Sequence, residues 1–228
     1  MRSASSAVTR EEERGPGPPG LDRVNSRQAA LTGAAVNQAT TPVPTPIAPH
    51  WSAFIARNGP HTAGVPLVPL TTDRLRLRAL TVADHAEVFD VLGDEPTTAR
   101  VSWRQPDPES ARAWLDRRIE DQRRNGLSMW AVEALALGEM VGLCGFFSHD
   151  GVYETELGYV IKAPLWGRGY ATEAAQAAVA SALQAGHRLY ATIRPWNIGS
   201  IRVVERAGLR LDESTEDDRG QLLVYRSR

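Results

Sequence analysis

Cysteine is nearly missing from this chain. Cys144 is the one thiol among 228 residues, which excludes an internal disulfide and any cysteine-based structural metal cluster. No apolar run approaches the roughly 20 residues of a membrane-spanning helix. Net charge is close to nil, at −1 with a pI near 6.5, so bulk charge does not point to a nucleic-acid partner. The opening stretch, Met-Arg-Ser-Ala-Ser-Ser-Ala-Val-Thr-Arg-Glu-Glu-Glu-Arg, lacks an apolar h-region and does not read as a secretory signal. His149, His187 and the histidines of the N-terminal tail show no metal-ligand spacing, and no metal is expected. A cytoplasmic protein without membrane or nucleic-acid partners is the simplest expectation. The length suits one domain of ordinary size with a tail.

Two regions differ in character. Residues 1–68 are rich in Pro, Ala, Thr, Gly and Ser, as in Gly15-Pro-Gly-Pro-Pro-Gly20 and Thr41-Pro-Val-Pro-Thr-Pro46. Proline fixes φ and lacks a donor, so this composition resists helix and sheet and predicts a largely disordered tail. Trp51 to Ile55 reads either as a small apolar anchor or as a solvated segment.

Residues 69–228 carry the dense patterning of a folded domain. Arg74 to Leu80 alternates with period two, as a half-exposed strand does. Thr81 to Asp84 reads as the cap of a short helix that runs to about Leu92 and stops near Gly93. Asp107-Pro108-Glu109 opens a second helix that buries Ala111, Trp114, Leu115 and Ile119 and ends at Gly126. Strands follow at Ser128 to Leu135 and Glu139 to Phe147, joined at Gly138, and at Thr155 to Ile161. Then come a helix from Gly169 to Ala185, a strand at Leu189 to Ile193, a helix at Ile198 to Ala207, and strands at Leu209 to Glu213 and Leu222 to Ser227. The order β-α-α-β-β-β-α-β-α-β-β is that of a mixed α/β domain and not a repeated βαβ unit.

Pro164 to Glu173, Pro-Leu-Trp-Gly-Arg-Gly-Tyr-Ala-Thr-Glu, is the most informative stretch. It joins the apolar strand Leu157 to Ile161 to an alanine-rich helix. Free N–H groups at a helix start and the helix dipole make an anion site there, and Gly167 and Gly169 remove the Cβ atoms that would hold a phosphate off. A dinucleotide fingerprint needs a third glycine where Thr172 stands, and a phosphate-binding P-loop needs a Gly-Lys-Ser/Thr that is absent. A plain structural turn is the other reading of these ten residues.

A second motif lies downstream: Pro195-Trp-Asn197-Ile-Gly-Ser200-Ile-Arg-Val-Val-Glu205-Arg-Ala-Gly208-Leu. The two motifs together, in this order and spacing, make residues 70 to 228 resemble a GCN5-related N-acetyltransferase. Trp166-Gly-Arg-Gly-Tyr-Ala171 matches the phosphate-binding signature of that family, Gln/Arg-x-x-Gly-x-Gly/Ala, with Trp166 in place of the leading Gln or Arg. That replacement, and Asn-x-x-Ser-x-x-x-x-Glu-x-x-Gly-Leu downstream, resemble the Rim-type acetyltransferases of ribosomal-protein N-termini. The resemblance implies a single domain with a mixed, mostly antiparallel sheet flanked by helices.

The same resemblance implies acetyl-CoA as co-substrate and direct transfer of acetyl to a primary amine; the oligomeric state, monomer or homodimer, is not written in the sequence. A protein N-terminal α-amine is the favoured acceptor; a small-molecule amine (amino acid, polyamine or antibiotic) and a non-catalytic acyl-CoA-binding module are the alternatives. Gly167, Arg168, Gly169, Ala171 and Thr172 are expected to hold the pyrophosphate, with Trp166 and Tyr170 beside them. Backbone groups of Tyr159, Val160 and Ile161 would meet the thioester, and Asn197 the pantetheine. Glu156 is the candidate base, acting through water, or else a strand-end carboxylate in an ion pair. Many family members place a tyrosine acid where this chain has Val204; Ser200 is the candidate replacement. Asn197 and Ser200 also satisfy N-cap rules for the following helix. Trp103 reads as acceptor wall or as core. The acidic run Asp212 to Asp218 reads as a turn, either drawing a cationic acceptor or simply solvated.

Overall fold

In the computed structural model, residues 68–149 and 154–228 are described here. The tail, including Trp51 to Ile55, lies outside them but for its last residue. Eight strands form one sheet: β1 (Leu70–Thr71), β2 (Leu75–Ala79), β3 (Met129–Ala134), β4 (Glu139–Phe147), β5 (Thr155–Ile161), β6 (Leu189–Ile193), β7 (Arg210–Asp217) and β8 (Gly220–Arg226), in the spatial order β1-β2-β3-β4-β5-β6-β8-β7. Every neighbouring pair is antiparallel except β5–β6, which is parallel. Among the described residues, five helices flank it: α1 (His85–Leu92), α2 (Glu95–Thr98), α3 (Pro108–Asn125), α4 (Tyr170–Gln184) and α5 (Ile198–Arg206).

The middle of the sheet, β3 and β4, is buried on both faces, and strand alternation sends successive side chains into opposite layers. From β3, Trp130, Val132 and Ala134 enter the layer built with Ala174, Ala175, Ala178 and Val179 of α4 and Val204 of α5. Met129 and Ala131 enter the opposite layer, with Val88, Val91 and Leu92 of α1 and Trp114 and Leu115 of α3. The alanine face of α4 lets its backbone lie close to the sheet, which brings its N-terminus up against the end of β5.

The capping signals work as the sequence suggests. The Asp107 carboxylate accepts from Ser110 N–H at 2.8 Å, and Gly126 leaves α3 in the left-handed region at φ 68°. Asp84 accepts from Thr81 N–H at 2.7 Å and pairs with Arg78 at 2.7 Å. Burial opposes the Asp84 charge, but the Arg78 and Thr81 donors outweigh it and hold the carboxyl below its ordinary value.

Three features depart from expectation. The edge strand β1 and the four-residue helix α2 are too short to show periodicity. Helix α2 exists because Asp94 caps Thr97 N–H at 2.9 Å and Pro96 stands in its first turn. The acidic run is strand and not turn: β7 takes in Asp212 to Asp217, and the connection shrinks to Asp218 and Arg219. Arginine makes this possible. Arg226 pairs with Glu154, Asp212 and Glu213, while Arg194 holds Asp217 at 2.6 Å.

Candidate active site

β5 and β6 run together for two residue pairs, Thr155–Leu189 and Glu156–Tyr190, and then separate. The backbone of β5 beyond Glu156 is thereby released on that side. Lys162 N–H donates to Val141 O, and Thr155 N–H to Arg188 O, each at 2.9 Å. Antiparallel bonding alternates, so Gly158 and Val160 are committed to β4. Beyond the paired residues, Tyr159 and Ile161 aim their N–H groups into the gap. Of the three residues expected to meet a thioester, Tyr159 and Ile161 therefore present their own backbone N–H there, while Val160 contributes by lining the wall.

Two clefts open from this gap. The first, of about 420 Å³, lies between the end of β5, the glycine turn and α5. The second, of about 500 Å³, lies between the start of β5, β6 and the segment from Ala99 to Trp103. Tyr159, Asn197, Ser200, Arg100 and Val101 line both, so the clefts meet there.

The glycine turn shapes the first cleft. Gly167 and Gly169 have φ of 77° and 83°, a region that side chains with a Cβ rarely occupy. Gly169 is the N-cap of α4, and the N–H groups of Tyr170, Ala171 and Thr172 stand free at the helix start, as an anion site requires. The turn is braced from behind. Glu173 accepts from Thr72 Oγ1 at 2.6 Å, Arg74 N–H at 3.0 Å and Arg74 Nε at 2.7 Å. Burial would raise the Glu173 carboxyl, but these donors win and lower it. The other end of Arg74 donates to Arg168 O at 2.9 Å, and its guanidinium lies 5.0 Å from the Tyr170 ring.

Trp166 has a defined task. Its indole N–H donates to Ile161 O at 2.6 Å, closing the last carbonyl of β5. Its ring carries the Arg100 guanidinium at 5.0 Å. Arg168 is exposed and does not line the cleft; it contributes its carbonyl to Arg74. Trp166, Gly167, Gly169, Tyr170, Ala171, Thr172, Asn197 and Ser200 all do line it.

Three arginines that the sequence reading missed join them: Arg100, Arg202 and Arg206. Arg202 and Arg206 are four apart on α5, one helical turn, and that spacing was a usable signal. Arg100 had none, because it arrives from the loop after α2. Among the described residues this cleft is lined by no carboxylate. Arginines and helix-start N–H groups without a competing acid suit a polyphosphate.

Glu156 and Trp103 both line the second cleft. Glu156 accepts from Thr192 Oγ1 at 2.7 Å and lies 2.8 Å from His149 Nε2. Trp103 stacks on Trp114 at 6.0 Å and meets Phe147 edge-on at 5.4 Å, so it is anchored to the core and also forms wall. None of Asp212 to Asp218 lines either cleft; Arg219 and Leu222 do instead.

Where the clefts meet, Asn197 caps α5 by accepting from Ser200 N–H at 3.3 Å. Tyr159 Oη donates to Ser200 O at 3.1 Å, which ties β5 to the first turn of α5. Burial pushes the Tyr159 phenol well above its ordinary value. Val204 is fully buried among core residues. Cys144 is also core; burial pushes its thiol up to about 12, which makes it inert.

Residues 74–210 match the family model of the acetyltransferase (GNAT) domain. The Bacillus subtilis protein YkkB is 31% identical over 160 residues, covering 68% of this chain and 93% of the relative. A solved GnaT-family acetyltransferase from Bordetella pertussis superposes with a TM-score of 0.62 at 25% identity, over 70% of this chain and 98% of that one. The ribosomal L7/L12 α-N-protein acetyltransferase RimL, in complex with coenzyme A, shares the fold at 18% identity and a TM-score of 0.62, over 69% of this chain and 96% of that one. The chain belongs to the GNAT acetyltransferase family.

Proposed function

We propose that this GNAT domain transfers acetyl directly from acetyl-CoA to a primary amine, with a protein N-terminal α-amine as the preferred acceptor. The observation that carries the reading is the meeting of two chemically different clefts at Tyr159, Asn197 and Ser200. One suits a polyphosphate donor; the other holds a carboxylate on hydrogen-bonding partners, as an amine acceptor needs.

The thioester carbonyl would lie against the N–H groups that Tyr159 and Ile161 aim into the gap, which stabilise the oxyanion as the amine attacks. The C–N bond forms, and the surplus proton of the amine leaves through water to Glu156. As the C–S bond breaks, the thiolate takes a proton from Ser200 or from water. The arginines and the α4 start hold the pyrophosphate and 3′-phosphate, while Asn197 holds the pantetheine.

An α-amine with pKa near ~8 is roughly 10% neutral at pH 7, whereas a lysine near ~10.4 is well under ~0.1% neutral. A single carboxylate acting through water meets the smaller demand, which favours the α-amine. RimL, of the same fold, acts on an α-amine of a ribosomal protein, consistent with this choice.

The test is thiol release from acetyl-CoA with N-terminal peptides, lysine-side-chain peptides and small amines. Peptides with a free α-amine are expected to be turned over, and those with a blocked N-terminus and free lysine to be at least tenfold slower. Acetyl-CoA binding in calorimetry with no thiol release on any amine defeats the proposal.

A further inference from the structure

The second cleft has the wrong charge for a polycation. Among the described residues it is lined by three guanidinium groups, Arg100, Arg194 and Arg219, and by one carboxylate, Glu156. Arg194 is fully engaged: it pairs with Asp217 and donates to Gly220 O at 2.7 Å and Gln221 O at 3.1 Å. Arg219 is mostly exposed; its backbone N–H donates to Asp217 Oδ1 at 2.8 Å, and its guanidinium stands 3.7 Å from that carboxylate, which Arg194 already holds at 2.6 Å. Arg100 rests on the Trp166 ring. Arg100 also lines the first cleft, where it serves the phosphates, so Arg219 is the cation left to turn to a ligand; the single lining carboxylate already has two partners, Thr192 and His149.

The rest of the wall is apolar. Trp103, Phe147, Leu157, Ile193, Trp196 and Leu222 contribute to it. Trp103 is fixed by its stack on Trp114, so it offers a rigid surface. Trp196, 62% exposed at the rim, adds an indole face to the mouth of the cleft.

On the reading that acetyl passes through the gap to an amine, we propose that the acceptor is a monoamine on an apolar body with an anionic group close by. An aromatic or aliphatic α-amino acid, or an apolar N-terminal residue followed by an acidic one, has this chemistry. The amine goes to Glu156, the apolar side chain to the tryptophan wall, and the anion to Arg219. A polyamine or aminoglycoside meets one carboxylate and several cations, and is discriminated against by repulsion as well as by missing partners.

Binding to the coenzyme A-saturated protein, measured by calorimetry, tests this without relying on turnover. The probes are Phe-Glu-Ala-amide, Phe-Lys-Ala-amide, free phenylalanine and spermidine. Phe-Glu-Ala-amide is expected to bind roughly tenfold or more tighter than spermidine, and about fivefold or more tighter than Phe-Lys-Ala-amide. Phenylalanine against the acidic peptide separates a free amino acid from a chain N-terminus as the source. Arg219→Glu is expected to reverse the Glu/Lys preference while coenzyme A affinity stays the same, since Arg219 lines only the second cleft. Spermidine binding as tightly as the acidic peptide, or the Glu and Lys peptides binding alike, overturns the inference, as does binding of none of the probes. Thiol release from acetyl-CoA with the same probes, in samples without added coenzyme A, keeps the two readings apart. Rapid acetylation of spermidine defeats this inference and leaves the transferase intact; acidic apolar amines that bind yet release no thiol defeat the transferase and leave this inference standing.

Discussion

The two clefts share five lining residues and little else. The first is made of backbone and arginine: two glycines at positive φ, a helix start, the freed edge of β5, and no carboxylate among the described residues. The second is made of side chains: tryptophans, Phe147 and the Glu156 carboxylate with its two partners. Apart from Thr97, Arg100 and Val101, the first is also nearly continuous in sequence, since β5, the turn and α4 follow one another and α5 comes after β6. The second draws on the loop after α2, the end of β4, β5, β6 and the β7–β8 connection. A donor common to a whole family can be held by backbone. An acceptor that differs between relatives is met by side chains on scattered segments, which can change without disturbing the donor site.

If that division is right, damage to one cleft leaves the other working. The largest effect is expected from Gly169→Val. A branched residue at φ 83° is strained, and even a bare Cβ would meet Arg74 Nη2 at 3.3 Å. Acetyl-CoA affinity in calorimetry should fall on the order of 100-fold while apolar amines still bind. Glu156→Gln comes next and is the mirror case: unchanged acetyl-CoA affinity, with kcat/KM at pH 7 lower by roughly 10- to 100-fold. An α-amine deprotonates as pH rises through about 8, so the variant should regain most of the loss by pH 9. A pH-independent loss would mean that Glu156 only shapes the wall. Ser200→Ala sits at the junction and sharpens the comparison: kcat should fall about 3- to 10-fold with acetyl-CoA affinity within twofold, whereas a loss in affinity alone would assign Ser200 to the donor side.

The brace behind the turn gives a smaller effect. The Glu173 carboxyl is lowered in the fold, so its contribution is complete above its ordinary carboxylate value and is lost as pH falls through the depressed one. Glu173→Gln should lower Tm at pH 7 by about 2–6 °C and should narrow its own difference from the parent protein below about pH 4. Smallest is Arg206→Ala, expected to weaken acetyl-CoA by about 3- to 5-fold at low salt, and less as ionic strength rises.

The sequence was most legible where function is local. The order and type of the long elements, the Asp107 and Asn197 caps, and the glycine turn that opens α4 all follow from neighbouring residues acting on one another. The charge partners were not legible in the same way. Nothing near Asp212 says that Arg226 and Arg194 will neutralise the run, so a strand reads as a turn. Nothing near Arg100 says that its loop returns to Trp166. His149 beside Glu156 was hidden for the same reason: the β4–β5 register that pairs Phe147 with Glu156 brings the two together, and register is not written in either segment.

The short parallel junction between β5 and β6 also has a mechanical side. Strands β1 to β5 and strands β6, β8 and β7 are two planks joined by two residue pairs, by Tyr159 and its bond to Ser200, and by α4 packed across the back. A molecule seated in the gap and bonded to both sides acts as a staple across this joint. Its binding energy then reinforces the shortest junction in the interior of the sheet, and hydrogen exchange along β6 is expected to slow when the donor is present.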